Sequence, residues 1–171
     1  QGAAAAKRIF SVIDQPIQTK NDVNLPSLKV ENSNIKFKNI SFHYLNTKEK
    51  AINKINLKIN GGSMTAFVGQ SGAAKSTIIN LLPRFYEPQE GNIFIDDQDI
   101  HKVSLYSLRR NISLVSQDVI LFDDTVKANI AYADSQATNQ DIIHACKFAA
   151  ADEFINKLPD GYETFIGENG V

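Results

Sequence analysis

The sequence has a single cysteine, Cys146, which excludes an internal disulfide and fits a reducing compartment. Beside Ile142, Ala145 and Ala149 it reads as a small core residue. No apolar stretch approaches the ~20 residues of a membrane span, and no secretory signal pattern is present. The net charge of -1 comes without any basic run, so nucleic acid is not an expected partner. The three histidines, His43, His101 and His144, stand at unrelated spacings and offer no metal cluster. There is no internal repeat. The only methionine is Met64, and the last residues, Gly167-Glu168-Asn169-Gly170-Val171, read as the middle of a loop. The expectation is a segment of a longer protein. Its 171 residues suffice for one domain with a real core.

What is present centres on Ala66-Phe67-Val68-Gly69-Gln70-Ser71-Gly72-Ala73-Ala74-Lys75-Ser76-Thr77. A short apolar run enters, a small-residue loop turns, and an apolar helix leaves through Ile78, Ile79, Leu81 and Leu82. This is the phosphate-binding P-loop arrangement. Backbone N–H groups of Gly69 to Thr77 form a concave donor set for anionic oxygens. Lys75 reaches terminal phosphates as a point charge, and the Ser76 hydroxyl is a ligand for Mg²⁺. One position departs from the pattern, because Ala74 stands where glycine is wanted before the lysine. If residue 74 is already helical, alanine fits and favours the helix by up to about 1 kcal/mol. If the backbone must approach phosphate very closely, the methyl obstructs it. A glycine-rich turn with no ligand is the plain alternative for the whole stretch.

In chain order, residues 1–14 read as an amphipathic helix ending before Pro16, and residues 15–33 as a polar linker. Strand alternation follows at Ile35, Phe37, Ile40, Phe42 and Tyr44, then at Ile55, Leu57 and Ile59, with a turn at Gly61-Gly62. Ser63 to Val68 is expected as the strand feeding the loop. A hairpin spans Gly91 to Ile100 with Asp96-Asp97 at its turn, and a short helix covers Leu105 to Arg110. Asn111 to Ser116 is expected as a buried strand ending at Gln117. Helical patterns follow at Val126 to Tyr132, Asp141 to Phe148 and Ala150 to Leu158, with Thr138 as a helix start. The acidic pairs Asp96-Asp97 and Asp123-Asp124 both fall at turns, where aspartate serves local hydrogen bonding rather than acid–base chemistry.

These motifs occur in one order: Phe42-His43-Tyr44, the P-loop, Arg84-Phe85-Tyr86-Glu87-Pro88, the hairpin, Val115-Ser116-Gln117-Asp118, Leu121 to Val126, Asn129-Ile130, Leu158 to Tyr162 and Gly167 to Gly170. The ordered set resembles the nucleotide-binding domain of ATP-binding cassette (ABC) exporters, of the half-transporter type that includes lipid flippases and multidrug exporters. The resemblance implies an α/β fold with a P-loop NTPase core of the ABC type and an antiparallel β subdomain. Residues 1–14 then correspond to the end of the last transmembrane or intracellular helix, 15–33 to the linker, and 34–171 to the first part of the nucleotide-binding domain.

By the same resemblance, Tyr44 stacks on adenine, Gly69 to Thr77 cradle the phosphates of ATP, and Ser76 and Gln117 hold Mg²⁺ or the attacking water. Glu168 lies in a loop that meets the coupling helices of a transmembrane domain, and a second nucleotide-binding domain completes a homodimer at the cytoplasmic face of a membrane. The implied activity is ATP hydrolysis coupled to export of a lipid or hydrophobic compound. The family's signature loop is expected just past Val171, with the Walker B acidic strand, the catalytic glutamate and the switch histidine beyond it. The chain alone is accordingly expected to be inactive as an ATPase. A non-hydrolysing nucleotide-binding module, or the remnant of a decayed transporter gene, is the alternative.

Overall fold

The computed structural model describes residues 2–14, 24–45, 47, 49–117 and 120–167. The chain divides into two compact units, Gln1–Ser113 and Leu114–Val171.

The first unit opens with α1 (Gly2–Ile13), on which Ile9, Phe10, Val12 and Ile13 are exposed. No described helix is long and apolar enough to cross a membrane. The body of the unit is a four-stranded antiparallel sheet in the order β2-β1-β3-β4. Its strands are β1 (Ile35–Phe42), β2 (Ile52–Ile59), β3 (Glu90–Ile95) and β4 (Gln98–Asp99). Along β1 the apolar positions slip phase between Phe37 and Ile40. The register shifts there, with Asn39 at φ 50°. Strict alternation would send Ile40 to solvent; the bulge returns it to the core, where it is fully buried. The amides of Asn39 and Asn56 close the bulge, each donating to the other residue's side-chain oxygen.

Helices α2 (Lys75–Leu81) and α3 (Leu105–Arg110) add Leu81, Leu105 and Leu108 to the core built by Phe37, Ile40, Ile93 and Ile100. Ser104 caps α3 by accepting from the Ser107 N–H. The exit of α2 is fixed by arginines. Arg84 is buried, donates to the Ile100 carbonyl and pairs with Glu87 at 2.7 Å. Arg109 donates to the carbonyls of Pro83 and Arg84 and lies 5.2 Å over the Phe85 ring.

The later part of the expected linker is docked. Leu28 is buried in the core and its N–H donates to Ser107 Oγ, while Ser104 donates to the Pro26 carbonyl. The Asp96 carboxylate accepts from the N–H groups of Glu31, Asn32, Ser33 and Asn34 at 2.8–3.0 Å. Gly61 closes the other side, because a Cβ there would overlap the Asn32 carbonyl. The Asp96-Asp97 turn thus does more than reverse the chain.

Two expected strands are absent. Ser63 to Val68 and Asn111 to Ser116 belong to neither described sheet. A strand exists by pairing, and no described strand lies beside either run. Met64 and Val68 are more than 90% exposed, and so is Val115, so Asn111 to Ser116 is not the buried strand that the sequence implied.

The second unit has its own small core of Val126, Ile142, Cys146 and Ile155. Short strands β5 (Asp124–Thr125) and β6 (Phe165–Ile166) pair antiparallel. Between them run α4 (Val126–Ala131), α5 (Asn139–Phe148) and α6 (Asp152–Ile155), the last shorter than the pattern over 150–158 implied. Thr138 and Asp141 form a full capping box at the start of α5. The Thr138 hydroxyl, followed by its N–H, holds the Asp141 carboxyl below its ordinary range. Cys146 is buried, as its spacing indicated.

Candidate functional site

The loop from Gly69 to Ala74 leads directly into α2, which begins at Lys75. Lys75 folds back over the loop, its ammonium donating to the carbonyls of Gly69 at 2.9 Å and Gln70 at 2.7 Å. The positive charge therefore sits across the mouth of the loop rather than out in solvent. Ala73 closes a tight turn onto the Gln70 carbonyl at 3.2 Å. Among the described residues, no hydrogen bond uses the N–H groups of Gly72 or Ala74. The first-turn N–H groups of α2 have no partner within the helix either. A cation and a set of open N–H donors in one place make an anion site.

The backbone at residue 74 is not helical, the form in which alanine would have fitted best. Ala74 is the N-cap of α2 at φ 57°, ψ 21°, in the left-handed region. Gly72 is also at positive φ, 82°. Two left-handed residues so close together are what curls the loop. Glycine accepts that conformation without strain; alanine accepts it at about 1–2 kcal/mol. A glycine at this position would hold the same backbone without that strain.

Ser71, Gly72, Ala73 and Ser76 are exposed, so the loop surface is open to a ligand. Thr77 differs. It is buried, and its Oγ1 is hydrogen bonded to the Tyr44 hydroxyl at 2.8 Å. Tyr44 stands just past the end of β1, half buried. Phe42 lies edge-on to it at 4.9 Å and Tyr86 at 5.3 Å. The end of β1 is held by Gln89, whose side chain accepts from the His43 N–H and donates to the His43 carbonyl. The structure thus brings Tyr44 and the P-loop together. Tyr86 belongs to a motif already noted, without a site role, and nothing local marks Gln89, which acts on a residue 46 positions away.

Gln117 lies in the second unit, exposed at a bend, rather than at the end of a buried strand. Glu168 lies outside the described residues. Among the described residues no group of His, Cys, Asp and Glu is placed to hold a metal by itself. Asp96 and Asp97 form the β3–β4 turn, and Asp96 accepts from backbone N–H groups, in line with the turn reading of the first acidic pair.

Comparison with known proteins agrees with this geometry. The family model described as ABC transporter matches residues 52–169. An ATP-dependent lipid A-core flippase of Legionella pneumophila strain Paris is 46% identical over 171 residues, covering 100% of this chain and 29% of that protein. ABC transporter B family member 2 of Dictyostelium discoideum is 42% identical, covering 99% of this chain and 12% of its own length. The solved structure of a bacterial Atm1-family ABC exporter with ATP bound superposes with a TM-score of 0.89 at 41% identity, covering 99% of this chain and 30% of that one. The chain therefore spans less than a third of the length of these relatives. The P-loop fold, the ordered motifs and these matches place the chain in the ABC transporter family.

Proposed function

We propose that this chain binds Mg-ATP and is the nucleotide-binding part of an ATP-driven exporter. The observation that carries the reading is the Lys75 ammonium bridging the Gly69 and Gln70 carbonyls over a loop with open N–H donors. A cation resting on two carbonyls in the free state is set to exchange them for phosphate oxygens, which are stronger acceptors. Tyr44 offers the adenine a π-face next to the loop. Ser76 is exposed in the first turn of α2 with no hydrogen bond to its hydroxyl among the described residues, which suits a hard oxygen ligand. Ser76 would hold Mg²⁺, which neutralises phosphate charge when bound.

The larger protein would hydrolyse ATP between two such domains at the cytoplasmic face of a membrane. It would move a lipid or hydrophobic compound through a transmembrane domain. Support comes from the names borne by the relatives, a lipid A-core flippase and an exporter with ATP bound. Residues 1–14, 15–33 and 34–171 would be the connecting helix, the linker and the nucleotide-binding domain, with Glu168 near the coupling helices.

The test is a calorimetric titration of Mg-ATP and inorganic tripolyphosphate into the purified protein and its Lys75→Ala variant. Both ligands should bind the unmodified protein, and the variant should lose both. Binding that survives in a folded Lys75→Ala sample would sink the phosphate assignment.

A further inference from the structure

Tyr44 stands two residues past the end of β1, where the strand has run out of backbone partners. The final backbone bond from β1 toward the segment entering β3 runs from the Gln89 N–H to the Ser41 carbonyl at 3.0 Å. The next residue of β1 to face Gln89 is His43. Pro88, just before Gln89, has no N–H with which to continue the ladder. The Gln89 side chain takes over. Its amide oxygen accepts from the His43 N–H at 2.9 Å, and its amide nitrogen donates to the His43 carbonyl at 3.2 Å. A side-chain amide carries the same donor and acceptor as a peptide, so it adds one rung to the ladder. The His43 carbonyl belongs to the peptide that joins His43 to Tyr44. Holding that peptide sets the direction in which the Tyr44 ring leaves the chain. The peptide after Tyr44 is held too, its carbonyl accepting from the Thr47 N–H at 3.0 Å and from the Thr47 hydroxyl at 3.2 Å. Gln89 is itself exposed, so the core does not depend on its side chain.

We propose that Gln89 is a positioning residue for the base site: its side-chain amide fixes the peptide that presents the Tyr44 ring before any ligand arrives. The proposal rests on the reading of this region as a nucleotide site with Tyr44 as its base platform. A platform already held needs no ordering when a ligand comes. One on a loose strand end must be fixed at the moment of binding, and that lowers affinity. Only a ligand with a base feels the difference. Phosphates alone do not use the ring.

The test uses calorimetry with Mg-ATP and with inorganic tripolyphosphate. The proteins are the unmodified form, Gln89→Met, Gln89→Glu, Tyr44→Ala and the double variant Gln89→Met/Tyr44→Ala. Methionine keeps the length of the exposed side chain and removes both bonds, so folding is retained and is checked by melting. Hydrogen exchange should show the His43 amide losing protection in Gln89→Met. ATP should bind that variant about three- to tenfold more weakly, the order expected for fixing one residue's backbone on binding. Tripolyphosphate affinity should not change. Gln89→Glu keeps an acceptor for the His43 N–H but has no donor for the carbonyl on the Tyr44 peptide, so it should lose ATP affinity as well. In the Tyr44→Ala background Gln89→Met should cost nothing further, because there is no ring left to position. Equal losses for ATP and tripolyphosphate would mean that Gln89 supports the fold in general, and would overturn the proposal. So would ATP binding indifferent to Gln89→Met or Gln89→Glu, or the same loss with and without the Tyr44 ring. If the unmodified protein bound neither ligand, the nucleotide reading itself would fall and take this proposal with it. Binding of both ligands with the wrong pattern among the variants defeats only the role of Gln89.

Discussion

The β3–β4 turn and the last step of the phosphate loop both hold non-glycine residues in the left-handed region, and they meet that cost differently. At the turn, Asp96 and Asp97 lie at φ 46° and 60°, the pattern of a two-residue hairpin loop with both central residues positive. Aspartate tolerates this backbone, and Asp96 recovers more through its side chain, which gathers the N–H groups of residues 31–34. At the loop, Ala74 lies at φ 57° with no side-chain hydrogen bond to offset it. The turn is a finished structural device. The loop keeps its strain and leaves its N–H donors open. The difference separates a turn whose strained residue is paired from a loop whose strained residue is not.

The sharpest way to break this comparison is Asp96→Asn. One carboxylate oxygen accepts from residues 31, 32 and 33 and the other from 34. An amide keeps one acceptor and turns an N–H₂ group toward the remaining donors. The melting temperature should fall more than for any other change at either turn. Amides 31–34 should lose protection from hydrogen exchange. The same N–H groups, that of Glu31 foremost, hold the Asp96 carboxyl down from 3.8 to about 2. Its contribution is therefore complete above the unfolded value and is lost as pH falls through about 2. An acid melting series on the unmodified protein should show this loss, and Asp96→Asn should lack it. A smaller acid loss should remain in both from Asp141 and from Glu90, which is lowered first by Ser41 and then by Lys50. Unchanged protection at 31–34 would show that the segment is held by Leu28 and Gly61 instead.

This clasp was not legible in the sequence, although both partners were. Residues 15–33 read as a polar linker and Asp96 as a turn residue, and the bonds that join them span 62 to 65 positions. No local pattern encodes such a contact. The β1 bulge was read as plain alternation, although the phase slip between Phe37 and Ile40 is a local sign of it, because a pleat must alternate. The capping box at Thr138 was equally local. The two missing strands failed for another reason. An apolar run says that a segment is fit to pair, not that a partner stands beside it. At the candidate site, the order of motifs named Tyr44, Lys75 and Ser76 as candidates. The Tyr44–Thr77 bond, the Tyr86 edge and the backbone sign of Ala74 belong to three-dimensional placement and had no signature in residue type.

A second, smaller effect comes from Ala74→Gly. Glycine enters φ 57° without the Cβ penalty, although it also loosens the unfolded chain, so the net gain should be about 1 kcal/mol. Chemical denaturation reads it directly. Affinity for ATP should stay equal or tighten, since the N–H donor is kept and a methyl leaves the loop surface. A destabilised glycine variant would mean that the alanine's restriction of the unfolded chain outweighs its strain in the folded one. The loop would then not be the strained partner in the comparison.

The smallest effect is expected at Asp97, and it tests whether the two turns share one backbone cost. Asp97 is exposed and sits at φ 60°, within three degrees of Ala74 at 57°. Aspartate is less strained there than alanine, so Asp97→Gly should stabilise by only about a few tenths of a kcal/mol. Asp97→Ala should destabilise, because it installs at the hairpin the conformation that the phosphate loop already carries. The gap between the glycine and alanine variants at 97 should then equal the gain from Ala74→Gly, since both measure the same exchange of residue types at nearly the same φ. Denaturation of the three variants side by side decides it. A gap at 97 well above the gain at 74 would mean that the phosphate loop relieves its alanine by relaxing elsewhere, and the open donors would then owe nothing to stored strain. Equal values would mean that the loop carries its left-handed alanine unrelieved in the free protein.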